Sequence, residues 1–240
     1  MADLNRDIEA ELVRLGAELV GFGDLTELPA QERENLPIGI SVAVTYPPEV
    51  ICGIAELPTQ QYCDWYDALN EKLDMIVTRG AEILRARGYR AVAQTREHVG
   101  AGERENSTRL PHKTVATRAG IGWIGKNALL ITDRYGSAVR LSSILTDAPL
   151  RTVSPMNASH CGRCTLCADA CPAGALSGTT WEVGVKRDAL VDPVQCRTVA
   201  RQRAWQGFGG KDITICGKCI EVCPRTRRYT APGNQRAVVK

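Results

Sequence analysis

Eight of the chain's ten cysteines fall between residues 161 and 223, in two runs whose spacing suits iron–sulfur chemistry. The first run is Cys161-x2-Cys164-x2-Cys167-x3-Cys171-Pro172. Three thiolates at two-residue intervals can wrap one face of a cubane. Where a chain carries two cubes, the fourth cysteine, the one before proline, is carried to the other cube. The second run, Cys216-x2-Cys219-x3-Cys223-Pro224, is one cysteine short, and Cys196, twenty residues upstream, completes it. The expected sets are Cys161, Cys164, Cys167 and Cys223 around one [4Fe-4S] cluster, and Cys171, Cys196, Cys216 and Cys219 around the other.

Structural zinc is the competing reading, because paired CxxC motifs also make four-cysteine zinc sites. Zinc gives no reason for the x3-Cys-Pro ending of both runs. Cys52 and Cys63 stand apart and read as ordinary free cysteines. Clustering of the other eight argues for metal ligation, not for a secreted disulfide framework, and so for a reducing, cytoplasmic setting. The N-terminus MADLNRDIEAE is acidic and amphipathic, and the sequence holds no apolar run of the ~18 residues that a membrane span needs. The expectation is therefore neither signal peptide nor membrane anchor. The formal charge is +3. Two clusters at about −2 each would bring it to about −1, which points neither toward nor away from nucleic acid.

The elements that must position these residues can be sketched from periodicity. Ile8, Leu12, Leu15 and Leu19 predict a helix over 6–20. Gly39–Tyr46 reads as a buried strand halted by Pro47-Pro48. A helix over 64–87 should bury Trp65, Leu69, Leu73, Ile76 and Ile83, with Gly88 ending it and a strand at 90–94 following. Residues 95–111 are polar and irregular, as binding loops are. A short helix over 113–119, a strand over 128–132, a turn at 133–136 and a returning strand over 138–145 predict a hairpin. With 44% hydrophobic residues, the 240-residue chain can build real cores. The reading is an α+β protein: an α/β domain at 1–150, a linker near 147–157, and a double-cluster domain at 151–240.

Gly120-Ile-Gly122-Trp-Ile-Gly125-Lys126-Asn127 matches the GxGxxG dinucleotide pattern and nearly matches GxxxxGK[ST]. Both patterns need a strand before the loop and a helix after it. The order here is reversed, and Asn127 replaces the hydroxyl that would bind magnesium, so both nucleotide readings are set aside. What remains is backbone that a ligand can approach closely.

Taken in order, AGIGWIGKNALLI, YGSAVRLSSILTDAPL, CGRCTLCADACPAGAL, VDPVQCRT and CGKCIEVCPRT resemble the epoxyqueuosine reductase family. That family is related to the catalytic core of cobalamin-dependent reductive dehalogenases. The resemblance covers roughly residues 90–225, and this would be a short form lacking the family's C-terminal helical repeats. It implies a nitroreductase-like α/β sandwich holding base-off cobalamin, or another cobamide, followed by a ferredoxin-like domain whose clusters feed cobalt. It further implies cofactor contacts at Gly122, Lys126, Asn127, Leu130 and Leu141, with Thr198 near the corrin.

The family's catalytic acid is an aspartate in a D-S-A-P segment, and the matching segment here is Asn106-Ser107-Thr108-Arg109. An amide has no titrating proton to deliver. Glu103, Glu105 or His112 are the nearby substitutes. This departure weakens transfer RNA as the substrate and leaves two readings open. One is a cobamide-dependent reductase of some other small molecule. The other is a ferredoxin-like carrier that reduces a corrinoid protein and turns over no substrate itself. Flavin on the same fold is a third, with no residue signal of its own. Either main reading needs an electron donor such as a ferredoxin or flavodoxin. The basic groups Arg197, Arg201 and Arg203, and Arg225, Arg227 and Arg228, read as solvated faces, with a phosphate or acidic-partner dock as the alternative.

Overall fold

The computed structural model describes residues 3–99, 108–210 and 213–233. They form two compact units, each assembled from separate stretches of chain. The first comprises residues 1–44, 68–122 and 140–156, and the second residues 45–67, 123–139 and 157–240. A single boundary at residue 150 does not describe this division, because two internal segments group with the cysteine-rich part.

The first unit is built on a four-stranded sheet in the order β1-β2-β6-β3. Its strands are β1 (Leu19–Asp24), β2 (Ile38–Thr45), β3 (Ala91–Ala93) and β6 (Val139–Thr146). β1 runs antiparallel to β2, with Leu19 opposite Ala43 and Asp24 opposite Ile38, and β3 runs antiparallel to β6. Residues 39–44 of β2 are all buried. Such an unbroken buried run, in place of alternation, marks a strand covered on both faces.

Helix α1 (Leu4–Arg14) buries Ile8 and Leu12 but ends earlier than its leucines predict. Gly16 adopts φ +104°, and Leu19 then opens β1. Helical spacing of Leu15 and Leu19 is coincidental there, and the glycine decides.

Helix α3 (Gln60–Ala86) covers the expected span. Its buried stripe runs through Leu69, Leu73, Ile76, Val77, Ala81 and Leu84, while Trp65 is exposed and Ile83 is only half-buried. The stripe is therefore set by the 69–73–76–80–84 repeat, and Trp65 falls outside it. Gly80 lies in that repeat because a Cβ there would stand 2.6 Å from Ile144 and 2.7 Å from Leu12.

Helix α4 (His112–Arg118) lies on β1 so closely that a Cβ on Gly21 would meet the Ala119 carbonyl at 2.5 Å. A Cβ on Gly23 would meet the Arg118–Ala119 peptide at 2.6 Å. Leu25, Leu36, Leu110, Val115 and Leu145 close the core beside it.

The second unit carries little sheet. β4 (Trp123–Ile124) pairs antiparallel with β5 (Leu130–Ile131) across a tight loop. The hairpin predicted between 128–132 and 138–145 does not form. Thr132 and Gly136 make one bridge, and β6 pairs elsewhere. Apolar runs flanking a turn looked like partners, but β5 is satisfied by β4 instead.

Short helices complete this unit: α2 (Pro48–Cys52), α5 (Leu166–Asp169), α6 (Pro193–Phe208), α7 (Lys218–Glu221) and α8 (Pro224–Thr230). α2 packs with α7 and α8, and α5 packs with α7. Among the described residues, no helix is long and apolar enough to cross a membrane.

Candidate metal centres

The cysteines are placed by helix ends and turns. Cys161 and Cys164 lie in the turn before α5, with the Cys164 N–H donating to the Cys161 carbonyl at 3.2 Å, and Cys167 follows on the helix itself. Cys216 and Cys219 repeat the arrangement around α7. Gly217, between them, has φ +76°, and a Cβ there would meet Ile54 at 2.3 Å, so glycine is required.

Cys223 is the N-cap of α8, and Pro224 is its first residue. Proline suits that position, because its fixed φ fits the helix and its missing N–H would be unpaired there anyway. The same logic places Cys196 in the first turn of α6, after Pro193. Asp192 caps that helix by accepting from the Val194 N–H at 3.0 Å and the Gln195 N–H at 2.9 Å.

The eight thiols gather as two neighbourhoods. Cys161, Cys164, Cys167 and Cys223 line one cavity of about 240 Å³, together with Trp123, Lys126, Asn127, Ile131, His160, Pro224 and Arg225. Burial pushes the Cys167 thiol up to about 11, and Cys161, Cys223 and Cys164 press the same way. Burial likewise raises Cys196, with Cys171 and Cys216 adding to it. Burial raises the Cys219 thiol further still, with Cys216, Cys196, Cys167 and Cys171 pressing on it the same way.

Without a cation, Cys167, Cys196 and Cys219 are thus driven to stay protonated. Iron would draw them into the thiolate form and release protons. The donor set therefore fits two cationic cores. Among the described residues, no three His, Cys, Asp or Glu side chains are gathered as ligands of one ion. A cube needs no such gathering, since each of its thiolates binds a different iron. Cys52 is exposed and Cys63 buried, and neither belongs to these groups.

The wall of the first cavity is braced from behind. Ala128 takes φ +58° to close the β4–β5 loop. Asn127 Oδ1 accepts from the Leu129 N–H at 3.1 Å, while its Nδ2 donates to Ser137 Oγ at 2.9 Å and to the Cys219 carbonyl at 3.4 Å. Gly136 (φ +57°) abuts Thr226, where a Cβ would meet the backbone nitrogen at 2.3 Å. Thr226 Oγ1 accepts from the Ser137 N–H at 3.0 Å. This fastens the start of α8, and with it Cys223, to the loop.

The Trp123 ring lies 4.7 Å from that of His160, and the Arg225 guanidinium sits 5.4 Å from the Trp123 ring centre. Sequence reasoning did not single out Trp123 or His160. Their signal was available: a tryptophan inside the glycine loop and a histidine directly before Cys161.

The positions that the family resemblance implied as corrin contacts are scattered in role. Lys126 and Asn127 line the cysteine cavity. Leu130 is buried in β5, and Thr198 is exposed on α6, its hydroxyl donating to the Val194 carbonyl at 3.0 Å. Gly122 is buried, and Leu141 is half-buried on β6. The Asn127 side chain is thus engaged in hydrogen bonds and that of Leu130 in packing, so any corrin contact there would be through backbone.

Glu103, Glu105 and Asn106 lie outside the described residues. His112 is described and is a poor acid. Burial lowers its pKa to about 4, helped by Arg140, and Nδ1 is hydrogen-bonded with Ser143 Oγ at 2.9 Å. It is neutral near pH 7 and has no imidazolium proton to give.

Comparison with known proteins bears on both units. Residues 160–226 match the 4Fe-4S double cluster binding domain. The chain is 31% identical over 172 residues to epoxyqueuosine reductase of Pseudomonas aeruginosa, covering 72% of this chain and 44% of that protein. Epoxyqueuosine reductase of Listeria monocytogenes is 38% identical over 172 residues, covering 69% and 40% respectively. The chain thus spans less than half the length of these two relatives.

A crystal structure of epoxyqueuosine reductase with an epoxyqueuosine-modified tRNA-Tyr stem loop superposes with TM-score 0.62 at 22% identity, covering 95% of this chain and 68% of that one. A reductive dehalogenase described in terms of B12-dependent dehalogenation superposes with TM-score 0.66 at 19% identity, covering 98% and 34%. The fold is shared with both.

Proposed function

The chain belongs to the epoxyqueuosine reductase family and carries a 4Fe-4S double cluster binding domain, and we propose that it is a cobamide-dependent iron–sulfur reductase. The observation that carries this is the gathering of eight cysteines into two neighbourhoods of four. In this reading Cys161, Cys164, Cys167 and Cys223 hold one cluster, and Cys171, Cys196, Cys216 and Cys219 hold the other. Bound, the clusters would supply one-electron transfer and the cobamide a cobalt centre to receive the electrons. The chain's own residues position and shield these groups, and of the proton donors named from sequence Glu103 and Glu105 are the ones we retain, since burial keeps His112 neutral near pH 7.

The cobamide rests on the fold shared with a dehalogenase described as B12-dependent and on the glycine loop that ends α4. Gly122 and the Lys126–Asn127 backbone, with Leu141 and Thr198, are the residues we assign to it. The domain roles follow: a nitroreductase-like α/β sandwich for the cobamide and a ferredoxin-like fold for the clusters. The cytoplasm is the compartment that reduced thiols and labile clusters need, and a ferredoxin or flavodoxin is the donor class.

The test is titration of cob(II)alamin into the anaerobic protein, followed by EPR. A changed cobalt hyperfine pattern, as the lower axial base leaves, is expected. An unchanged pattern with intact clusters would remove the cobamide and leave the carrier reading, which Asn106 at the family's acid position favours.

A further inference from the structure

The two cysteine neighbourhoods differ in the charges and donors around them. The first shares its cavity with Lys126, which is 7% exposed and has no hydrogen-bond or ion-pair partner among the described residues. The same cavity is lined by Trp123, 0% exposed, whose Nε1–H is buried without a partner. Arg225 stands over the indole, tethered to Asp133 Oδ1 at 2.9 Å.

A buried, unpaired indole N–H costs free energy unless something in the cavity accepts from it, and the Lys126 side chain lines the same cavity with its charge uncompensated by any carboxylate among the described residues. Around the second set the balance is the opposite. The Asp192 carboxylate is close enough to press on Cys196. Lys218, next to Cys219, is already engaged by the Ala55 carbonyl at 2.6 Å and by Glu221 Oε2 at 3.0 Å. Arg197, beside Cys196, is exposed to solvent.

From this asymmetry, and resting on the ligand assignment proposed above, we infer that Lys126 and the Trp123 indole set the potential of the Cys161/Cys164/Cys167/Cys223 cluster. That makes it the higher-potential cluster of the pair, the one on which an electron comes to rest. Reduction adds one negative charge to a core that already carries about −2 with its four thiolates. A nearby cation and hydrogen bonds to sulfur favour that extra charge, so they raise the potential. The step is a one-electron reduction of the core from 2+ to 1+, with no bond made or broken. The electron comes from an external one-electron carrier of the iron–sulfur or flavin class. Neither group is a cluster ligand; both act on the cluster through space.

Redox titration of the anaerobic full-length chain, read by EPR, tests this. Two midpoints are expected in the unmodified protein. Lys126→Gln should make reduction at the higher one at least about tenfold harder, a fall of about 59 mV for one electron, and leave the lower one in place. Lys126→Arg, which keeps the charge, should restore most of the shift, and Trp123→Phe should move the same midpoint down.

A shift confined to the lower midpoint, or no shift at all, overturns the inference. A second route needs no change in the cavity wall. Cys196→Ala protein, retaining the first cluster alone, should keep the higher midpoint, and retention of the lower one refutes the assignment. Absence of iron from the unmodified protein would refute the ligand reading itself. Eight irons with unmoved potentials would refute this inference alone.

Discussion

Replacing Asn106 with aspartate is expected to raise turnover of an epoxyqueuosine substrate by roughly 10²–10⁴-fold, with iron content unchanged. Opening an epoxide leaves charge on its oxygen, and a positioned acid discharges it as it forms. Asparagine can donate a hydrogen bond there but cannot transfer the proton, so its cost falls on the rate. The span corresponds to roughly 3–5 kcal/mol of barrier.

Substrate affinity and cofactor content should stay as they are, which separates this from a folding defect. If Glu103 or Glu105 has taken over the proton, the unmodified chain is already active, and glutamine at that position abolishes turnover. Turnover at ordinary enzyme rates that is indifferent to all three positions would refute the proposed role of this segment. Absence of turnover in every form, with cobamide bound, would point to a different substrate.

Replacing Cys196 with alanine should cost one cluster and spare the other, taking iron from about eight per chain toward about four. The reasoning is positional. Cys196 comes from α6, capped by Asp192, while Cys171, Cys216 and Cys219 come from other segments. Three thiolates would remain at one cube and four at the other. Cys52→Ala is the matched control, since Cys52 is exposed and outside both neighbourhoods. Equal retention of both clusters in Cys196→Ala, by EPR of the reduced protein, would show that Cys196 is no ligand.

The double-cluster segment was the most legible part of the sequence, because the spacing of its cysteines is local and residues 160–226 match a 4Fe-4S double cluster binding domain. Cys161, Cys164 and Cys167 sit within two turns of chain, and the Cys-Pro ending of the second run is a helix start that proline itself predicts. β2, α3 and α4 were legible for a related reason: each has a long or cleanly ended apolar pattern.

What failed was decided at a distance. Leu19 continues a helical period, yet Gly16 at φ +104° turns the chain and Leu19 pairs with Ala43. The predicted hairpin lost to pairing of Leu130–Ile131 with Trp123–Ile124, which two-residue strands cannot advertise. Grouping of residues 45–67 and 123–139 with the cysteine segments leaves no mark in composition at all. The cavity wall of Trp123, Lys126 and His160 was half visible. In sequence Lys126 stands in a near-match to a phosphate loop and among the cofactor contacts the resemblance implies, and its place beside four cysteines appears only once β4 and β5 fold back on each other.

The central claim is that eight cysteines hold two iron–sulfur cubes, and metal and sulfide analysis of anaerobically purified protein tests it most directly. About eight irons and about eight acid-labile sulfides per chain, with a broad absorbance near roughly 400 nm that bleaches on reduction, are expected. Zinc in place of iron, or iron without sulfide, would contradict it.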